Sequence, residues 1–217
     1  MDADARKIPS HEVTYARLRD MILFGHLAPG APVTIQGLIA DLGAGMTPVR
    51  EAIRRLTAEG ALLPQGNRRV AVPQMSAEML DQVAFARLAI EPNLAARAAG
   101  KLTPAQIDRL EAIDAKVNKA IEAGNLPDYL AANHAFHFAL YEAADAPVLL
   151  DLARSLWLRA GPSLRAVIDR FGRETAPDLH REALAAMRAG DAKALAAAIE
   201  RDIQQGVDHI RQALSEG

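Results

Sequence analysis

Thr47-Pro48-Val49-Arg50-Glu51-Ala52-Ile53-Arg54-Arg55-Leu56 is the stretch whose reading decides the fold. Val49, Ala52, Ile53 and Leu56 recur at helical spacing and can be buried together. Arg50 and Arg54 lie four residues apart and share another face, with Arg55 at its edge. Thr47 is expected as the N-cap and Pro48 as the first helical residue, where its missing N–H costs nothing. A short helix with one packed and one cationic side fits the major groove of DNA. Taken alone, it fits a solvated arginine face better.

The surroundings favour the groove. Upstream, Tyr15, Leu18, Ile22 and Leu23 give a helical pattern over 15–24 that ends at Gly25. The turn-rich run His26-Leu27-Ala28-Pro29-Gly30-Ala31-Pro32 follows. Thr34 can cap a second helix through Leu38, Ile39 and Leu42, and Gly43-Ala44-Gly45 turns into the arginine helix. Helix, helix, glycine turn, helix is a helix-turn-helix layout. Downstream, Leu62-Leu63-Pro64 and Val70-Ala71-Val72 read as two short strands. Between them Gln65-Gly66-Asn67-Arg68-Arg69 forms a basic tip, a wing able to reach phosphates or the minor groove.

On these residues, 11–75 resemble the winged helix-turn-helix of the GntR transcription regulators. The likeness is carried by Leu27-Ala28-Pro29-Gly30, Leu42-Gly43, Thr47-Pro48-Val49-Arg50-Glu51-Ala52, Arg54-Arg55-Leu56 and Glu59-Gly60. It implies DNA contacts at Thr47, Arg50, Arg54 and Arg55, at the wing residues Arg68 and Arg69, and at the positions of Gln36 and Met46. At the last two the chain departs from the family. Gly45-Met46 stand where Ser-Arg is usual, and Gln36 where Arg or Glu is frequent. The expectation is therefore DNA binding with a changed or relaxed sequence preference.

Charge is arranged compatibly. Residues 1–75 carry nine Lys/Arg against seven Asp/Glu, whereas residues 76–217 carry sixteen against twenty. Basic charge is thus local to the part that would meet phosphates, in a chain whose net charge is −2. No apolar run is long enough to span a bilayer, and the start Met1-Asp2-Ala3-Asp4-Ala5-Arg6-Lys7 lacks the apolar core of a secretion signal. There is no cysteine, which excludes disulfides and thiol catalysis. These features predict a soluble, cytoplasmic protein without membrane association, with residues 1–10 as a flexible N-terminus.

From Ser76, a helix cap, the texture becomes rich in Ala, Leu, Arg and Glu, with no strand-like stretch. Breaks at Thr103-Pro104, Gly124-Asn125, Ala146-Pro147, Ala176-Pro177 and Gly190-Asp191 give about six helices, over 76–99, 104–123, 127–144, 147–171, 177–189 and 191–214. Pro92 should kink the first and Gly161-Pro162 bend or break the fourth. The fold class is therefore mainly α: an N-terminal winged helix-turn-helix, then an all-α antiparallel bundle.

In that bundle Asn133 and His137 project from one helix face, with His180 and Asp202 on the last two helices. Asp128 and His134 are near but point elsewhere. Nitrogen and oxygen donors without sulfur suit Zn²⁺, Ni²⁺ or Mn²⁺, a choice the residues do not make. Ordinary hydrogen-bonded core histidines are the alternative. Residues 76–217 also resemble the FCD ligand-binding domain of FadR-like GntR regulators, through Arg87-Leu88-Ala89-Ile90-Glu91-Pro92, Asn133-His134-Ala135-Phe136-His137 and Leu179-His180-Arg181-Glu182-Ala183-Leu184.

The resemblance implies metal ligands at Asn133, His137 and His180, with Asp202 where a further His is usual. His209 is seven residues out of register. It implies as well a homodimer on a palindromic operator, an effector pocket beside the metal, and repression as the common outcome. A small carboxylate effector would pair with arginine; Arg87 is the first candidate, with Arg159 and Arg165 behind it, while an ion pair to Glu91 is the other reading of Arg87. Trp157 and Phe136 read as core or pocket wall. A metal-dependent hydrolase on a helical bundle is the rival reading, but no His-Glu-x-x-His helix, general base or nucleophile is evident. A helical interaction module with lapsed DNA binding is the third.

Overall fold

A computed structural model describes the backbone of residues 10–171 and 179–216, and side chains over 10–163 and 179–216. The chain forms two compact units, Met1–Gln74 and Met75–Gly217.

In the first unit, α1 (Ser10–Leu23), α2 (Ile35–Leu42) and α3 (Met46–Ala58) bury one stripe each: Leu18, Ile22 and Leu23; Leu38 and Leu42; Val49, Ala52, Ile53 and Leu56. α1 starts at Ser10, five residues earlier than its apolar spacing suggested, because its first turns are polar. Thr34 caps α2 by accepting the Gly37 N–H. Gly43 closes α2 in the left-handed region (φ 58°), which only glycine enters without a Cβ penalty, and so sets the turn into α3.

The entry to α3 differs from expectation. Gly45, extended at φ −70° and ψ 164°, is the N-cap, and the helix begins at Met46. Thr47 is therefore inside the first turn and makes no cap. Pro48 is tolerated at the third position because N–H groups of a first turn have no intrahelical partner.

Strands β2 (Leu63–Pro64) and β3 (Arg69–Ala71) form the expected hairpin. A third strand, β1 (Pro32–Thr34), pairs antiparallel with β3, placing Val33 opposite Val70. It escaped the sequence reading because three mostly exposed residues inside a Pro/Gly run show no alternation. At the wing tip Gly66, Asn67 and Arg68 are all left-handed, and the Arg68 carbonyl accepts the Ile35 N–H, tying the wing to the start of α2.

The second unit comprises α4 (Ala77–Ala99), α5 (Pro104–Ala123), α6 (Leu126–Glu142), α7 (Pro147–Phe171), α8 (Leu179–Ala189) and α9 (Ala192–Ser215). Ser76, Thr103, Asn125 and Asp191 cap four of them with side-chain oxygens. α4 packs along α9 and α7, α5 along α6, and α8 along α9. Pro92 and Pro162 each remove one main-chain donor without ending their helix, so the break anticipated at 161–162 does not occur. Burial of Trp157, Leu158 and Ala160 on the preceding turn holds that segment. None of the described helices is long and apolar enough to cross a membrane.

Candidate functional site

Two sites emerge, one in each unit. On α3, Met46, Arg50 and Arg54 follow one another at four-residue intervals outside the buried stripe, and all three are exposed. Their chemistry differs. Arg54 is 72% exposed but gives its Nε and Nη2 hydrogens to Glu51, at 3.0 and 2.6 Å. Arg55 is turned away from this face: it pairs with Glu12 at 2.8 Å and lies 3.8 Å over the Tyr15 ring, bracing α3 against α1. Tyr15 in turn donates to Glu59. Arg50 has no ion-pair partner among the described residues. Thr47, Gln36, Arg68 and Arg69 are exposed as well.

In the bundle, α6, α8 and α9 bring His137, His180 and Asp202 together, with nitrogen and oxygen atoms all within 4.8 Å of one another. His137 Nε2 is 3.1 Å from Asp202 Oδ2, and His180 Nε2 is 3.9 Å from Asp202 Oδ1. Asn133, also buried, is one turn before His137 on α6. Both imidazoles are fully or nearly buried, whereas the Asp202 side chain keeps 22% exposure.

The opposite edge of each ring fixes its tautomer. His180 Nδ1 is 2.8 Å from Asp114 Oδ1, and a carboxylate only accepts, so Nδ1 carries the hydrogen. His137 Nδ1 is 3.0 Å from the Tyr141 hydroxyl, whose single hydrogen is donated to Glu91 at 2.8 Å; His137 must therefore donate to that oxygen. Burial and then the Glu91 carboxylate hold the Tyr141 pKa well above that of a free phenol, so the hydroxyl keeps its hydrogen.

Both Nε2 atoms are consequently the ring nitrogens left facing Asp202, and each offers a lone pair there when its ring is neutral. Burial alone would raise the Asp202 pKa, but the positive charge that His137 and then His180 carry when protonated, with that of Arg87, outweighs it and lowers it, keeping a carboxylate there. Among the described residues, His137 Nε2 is the buried side-chain nitrogen or oxygen left without a hydrogen bond. It sits beside the Asp202 oxygen, too misaligned to bond to it, as two ligands of one cation do. Two imidazole nitrogens held by outer partners and facing a carboxylate fit a divalent metal.

The remaining residues fall around this cluster. Arg87 forks onto Glu91 at 2.6 and 3.3 Å, and its guanidinium lies 4.7 Å over the Trp157 ring. Trp157 Nε1 donates to Glu91 at 2.9 Å. The structure thus shows the ion pair of Arg87, the second of its two readings. Phe136 stacks on His180, with centroids 3.9 Å apart. Asp128 is bonded to Asn125 and His134 stacks on Phe138, so neither joins the cluster. Arg159 is half-buried on α7, and the Arg165 side chain lies outside the described residues. A separate open cavity of about 500 Å³ between α8 and α9, lined by Leu179, Glu182, Arg201, Gln204, Asp208 and others including His209, contains none of the cluster.

Asp114 and Tyr141 were missed by the sequence reading, and Glu91 entered it only as the ion-pair partner of Arg87. Asp114 had a signal, being a carboxylate on an otherwise apolar buried stripe between Leu110 and Val117, whereas Glu91 shares its buried stripe with Arg87. Tyr141 is four residues beyond His137.

Residues 82–205 match the FCD domain family and residues 11–72 match the bacterial regulatory proteins of the gntR family. The chain is a GntR-family transcription regulator with an FCD domain. Among GntR relatives, it is 29% identical over 199 residues to the HTH-type transcriptional regulator McbR of Escherichia coli K12, covering 90% of each chain. It is 27% identical to the HTH-type transcriptional repressor RspR of the same organism, over 96% of this chain and 92% of that one. The solved structure of E. coli McbR/YncC superposes with a TM-score of 0.89 at 26% identity, over 95% of this chain and 99% of that one. A GntR regulator from Rhodococcus shares the fold, with a TM-score of 0.75 at 23% identity. Against the hydrolase rival, the family and these relatives are regulators.

Proposed function

We propose that this regulator is a cytoplasmic homodimeric repressor whose grip on a palindromic operator is set by a small carboxylate bound in the bundle. Residues 11–75 form the DNA-binding domain, 76–217 the effector-binding and dimerisation domain, and 1–10 an N-terminal extension. Arg50, Thr47, Arg54 and the wing residues Arg68 and Arg69 meet the duplex, while Arg55 supports the helix that carries them. Asn133, His137, His180 and Asp202 hold Zn²⁺, Ni²⁺ or Mn²⁺. A divalent ion there supplies a Lewis-acidic point for an effector carboxylate. Arg159 and Arg165 pair with the acid, and Arg87 holds Glu91 in place.

The observation that carries this reading is the pair of imidazoles with Nδ1 engaged outward and Nε2 facing Asp202. The acid shifts the dimer only by its differential affinity for two spacings of the winged helices. Half-sites stand at fixed separation, so a changed spacing weakens both contacts together.

Gel shifts on a palindromic duplex selected from a random library test this, with and without metal and a panel of small organic acids. Release of DNA by at least one acid, dependent on metal and lost in His137→Ala, is the expected result. Duplex binding that no acid alters removes the effector switch. No binding to any duplex favours the interaction module with lapsed DNA binding.

A further inference from the structure

The exposed stripe of α3 has a chemistry that its arginines do not explain. Met46 heads the stripe, four residues before Arg50, and is 45% exposed. The core of this unit is closed by Leu18, Ile22, Leu38, Leu42, Val49 and Leu56, all essentially inaccessible, and Met46 is no part of it. Single exposed apolar residues are common on surfaces. This one, however, is followed by Thr47, exposed with a methyl and a hydroxyl, and preceded by Gly45, which has no side chain. Gln36, on α2, is exposed too. Of the three arginines on α3, Arg55 faces α1 and Arg54 is shared with Glu51, leaving Arg50 as the unpaired guanidinium among the described residues of that helix.

In the major groove the base edges offer one apolar feature, the thymine 5-methyl, while adenine presents the N7 acceptor and N6 donor that a carboxamide matches in bidentate fashion. We propose that Met46 and Gln36 are specificity-determining residues that read A·T pairs: Met46 packs on a thymine methyl and Gln36 bonds an adenine edge, with Arg50 supplying the charged contact between them. The inference rests on DNA binding by the N-terminal unit and adds which bases that unit prefers.

The test starts with the full-length protein and a random duplex library. Each thymine of the recovered half-site is then replaced by deoxyuridine, which removes only the 5-methyl group. At one thymine per half-site the replacement should weaken binding about three- to tenfold, the scale of one buried methyl or a little more. Met46→Ala should bind the parent duplex more weakly by a similar factor and become indifferent to the replacement, whereas Met46→Leu keeps the sensitivity. Met46→Arg, selected afresh, should exchange that thymine for guanine. Gln36→Ala should relax one adenine position.

Wild-type protein tolerating deoxyuridine at every position would overturn the proposal. So would Met46→Ala recovering the same consensus with the same methyl dependence. Because Met46 is exposed, its variants should keep the wild-type circular dichroism and melting profile, which separates lost readout from lost fold. Failure to enrich any duplex would strike the DNA-binding reading itself.

Discussion

His137 Nε2 stands 3.1 Å from Asp202 Oδ2 without hydrogen-bonding to it. A ring nitrogen and a carboxylate this close in a buried chamber need a cation between them, a proton or a metal, so a metal that binds here should stabilise the fold. Adding Zn²⁺, Ni²⁺ or Mn²⁺ at a hundredfold excess over its Kd is expected to contribute about 2.7 kcal/mol. Thermal unfolding with metal and with chelator measures this. Asp202→Ala and His137→Ala should lose the response, and His209→Ala should keep it. A response unchanged in Asp202→Ala would place the ion elsewhere.

The outer partners should matter nearly as much as the ligands. Asp114 fixes the His180 tautomer at 2.8 Å, and Tyr141, held by Glu91, fixes that of His137 at 3.0 Å. Asp114→Asn keeps the shape but weakens the charge that orients the ring. Tyr141→Phe removes the acceptor and frees the ring to turn. Either change should lower metal affinity about 10- to 100-fold by calorimetric titration. Equal affinity in both variants would show the two residues to be packing only.

Much of the molecule could be read from the chain because its signals are local. Thr34, Ser76 and Thr103 cap the helices they precede, and four breaks of the bundle fall at Pro and Gly, the expected fifth at Ala176-Pro177 lying outside the described residues, so most helix ends were legible. Three features were not. β1 is a strand only because Val33 meets Val70, a pairing that leaves no mark on its own three residues. Gly45 displaced Thr47 as cap through a backbone conformation that residue identity does not dictate. The cluster's polar surroundings depend on contacts across 50 to 66 residues, from Tyr141 to Glu91 and from His180 to Asp114, which no local spacing encodes.

Burial pushes the Arg87 pKa down, but the Glu91 carboxylate outweighs it and raises it, so the guanidinium stays charged in the interior. Removing one partner strands the other. Arg87→Met should therefore cost about 3–5 kcal/mol in urea unfolding, and Arg87→Met with Glu91→Leu should recover a large part of that loss. A double variant no better than the single would mean that Trp157 and Tyr141, which also donate to Glu91, need the carboxylate more than Arg87 does.

On α3, Glu51 competes with phosphate for Arg54. Glu51→Gln is expected to tighten binding to non-cognate duplex and steepen its salt dependence. Arg50→Ala should flatten it. If Arg50 contacts one phosphate per protomer, the slope of log K against log salt should fall by about 1.8 for a dimer, at about 0.9 per phosphate. Titrations between about 50 and 200 mM salt resolve this. An unchanged slope would assign Arg50 to base edges alone.

Tyr15 links α1 to the end of α3 through Glu59, and the link should show in alkali. Burial first, then the hydrogen bond to Glu59 and its charge, push the Tyr15 pKa from 10.0 up to about 12. The folded state thus holds the phenol proton more tightly than the unfolded chain does. Its stabilising effect is complete below pH 10 and is lost as pH rises through about 12. The residue is half-exposed, so solvent screening keeps the effect small. Tyr15→Phe removes the bond but leaves the ring under Arg55, so the gap in urea midpoint between wild type and variant should be constant from about pH 8 to 10 and close by about pH 12. A gap that persists at the alkaline end would mean that the ring packing, and not the proton shared with Glu59, ties α1 to α3.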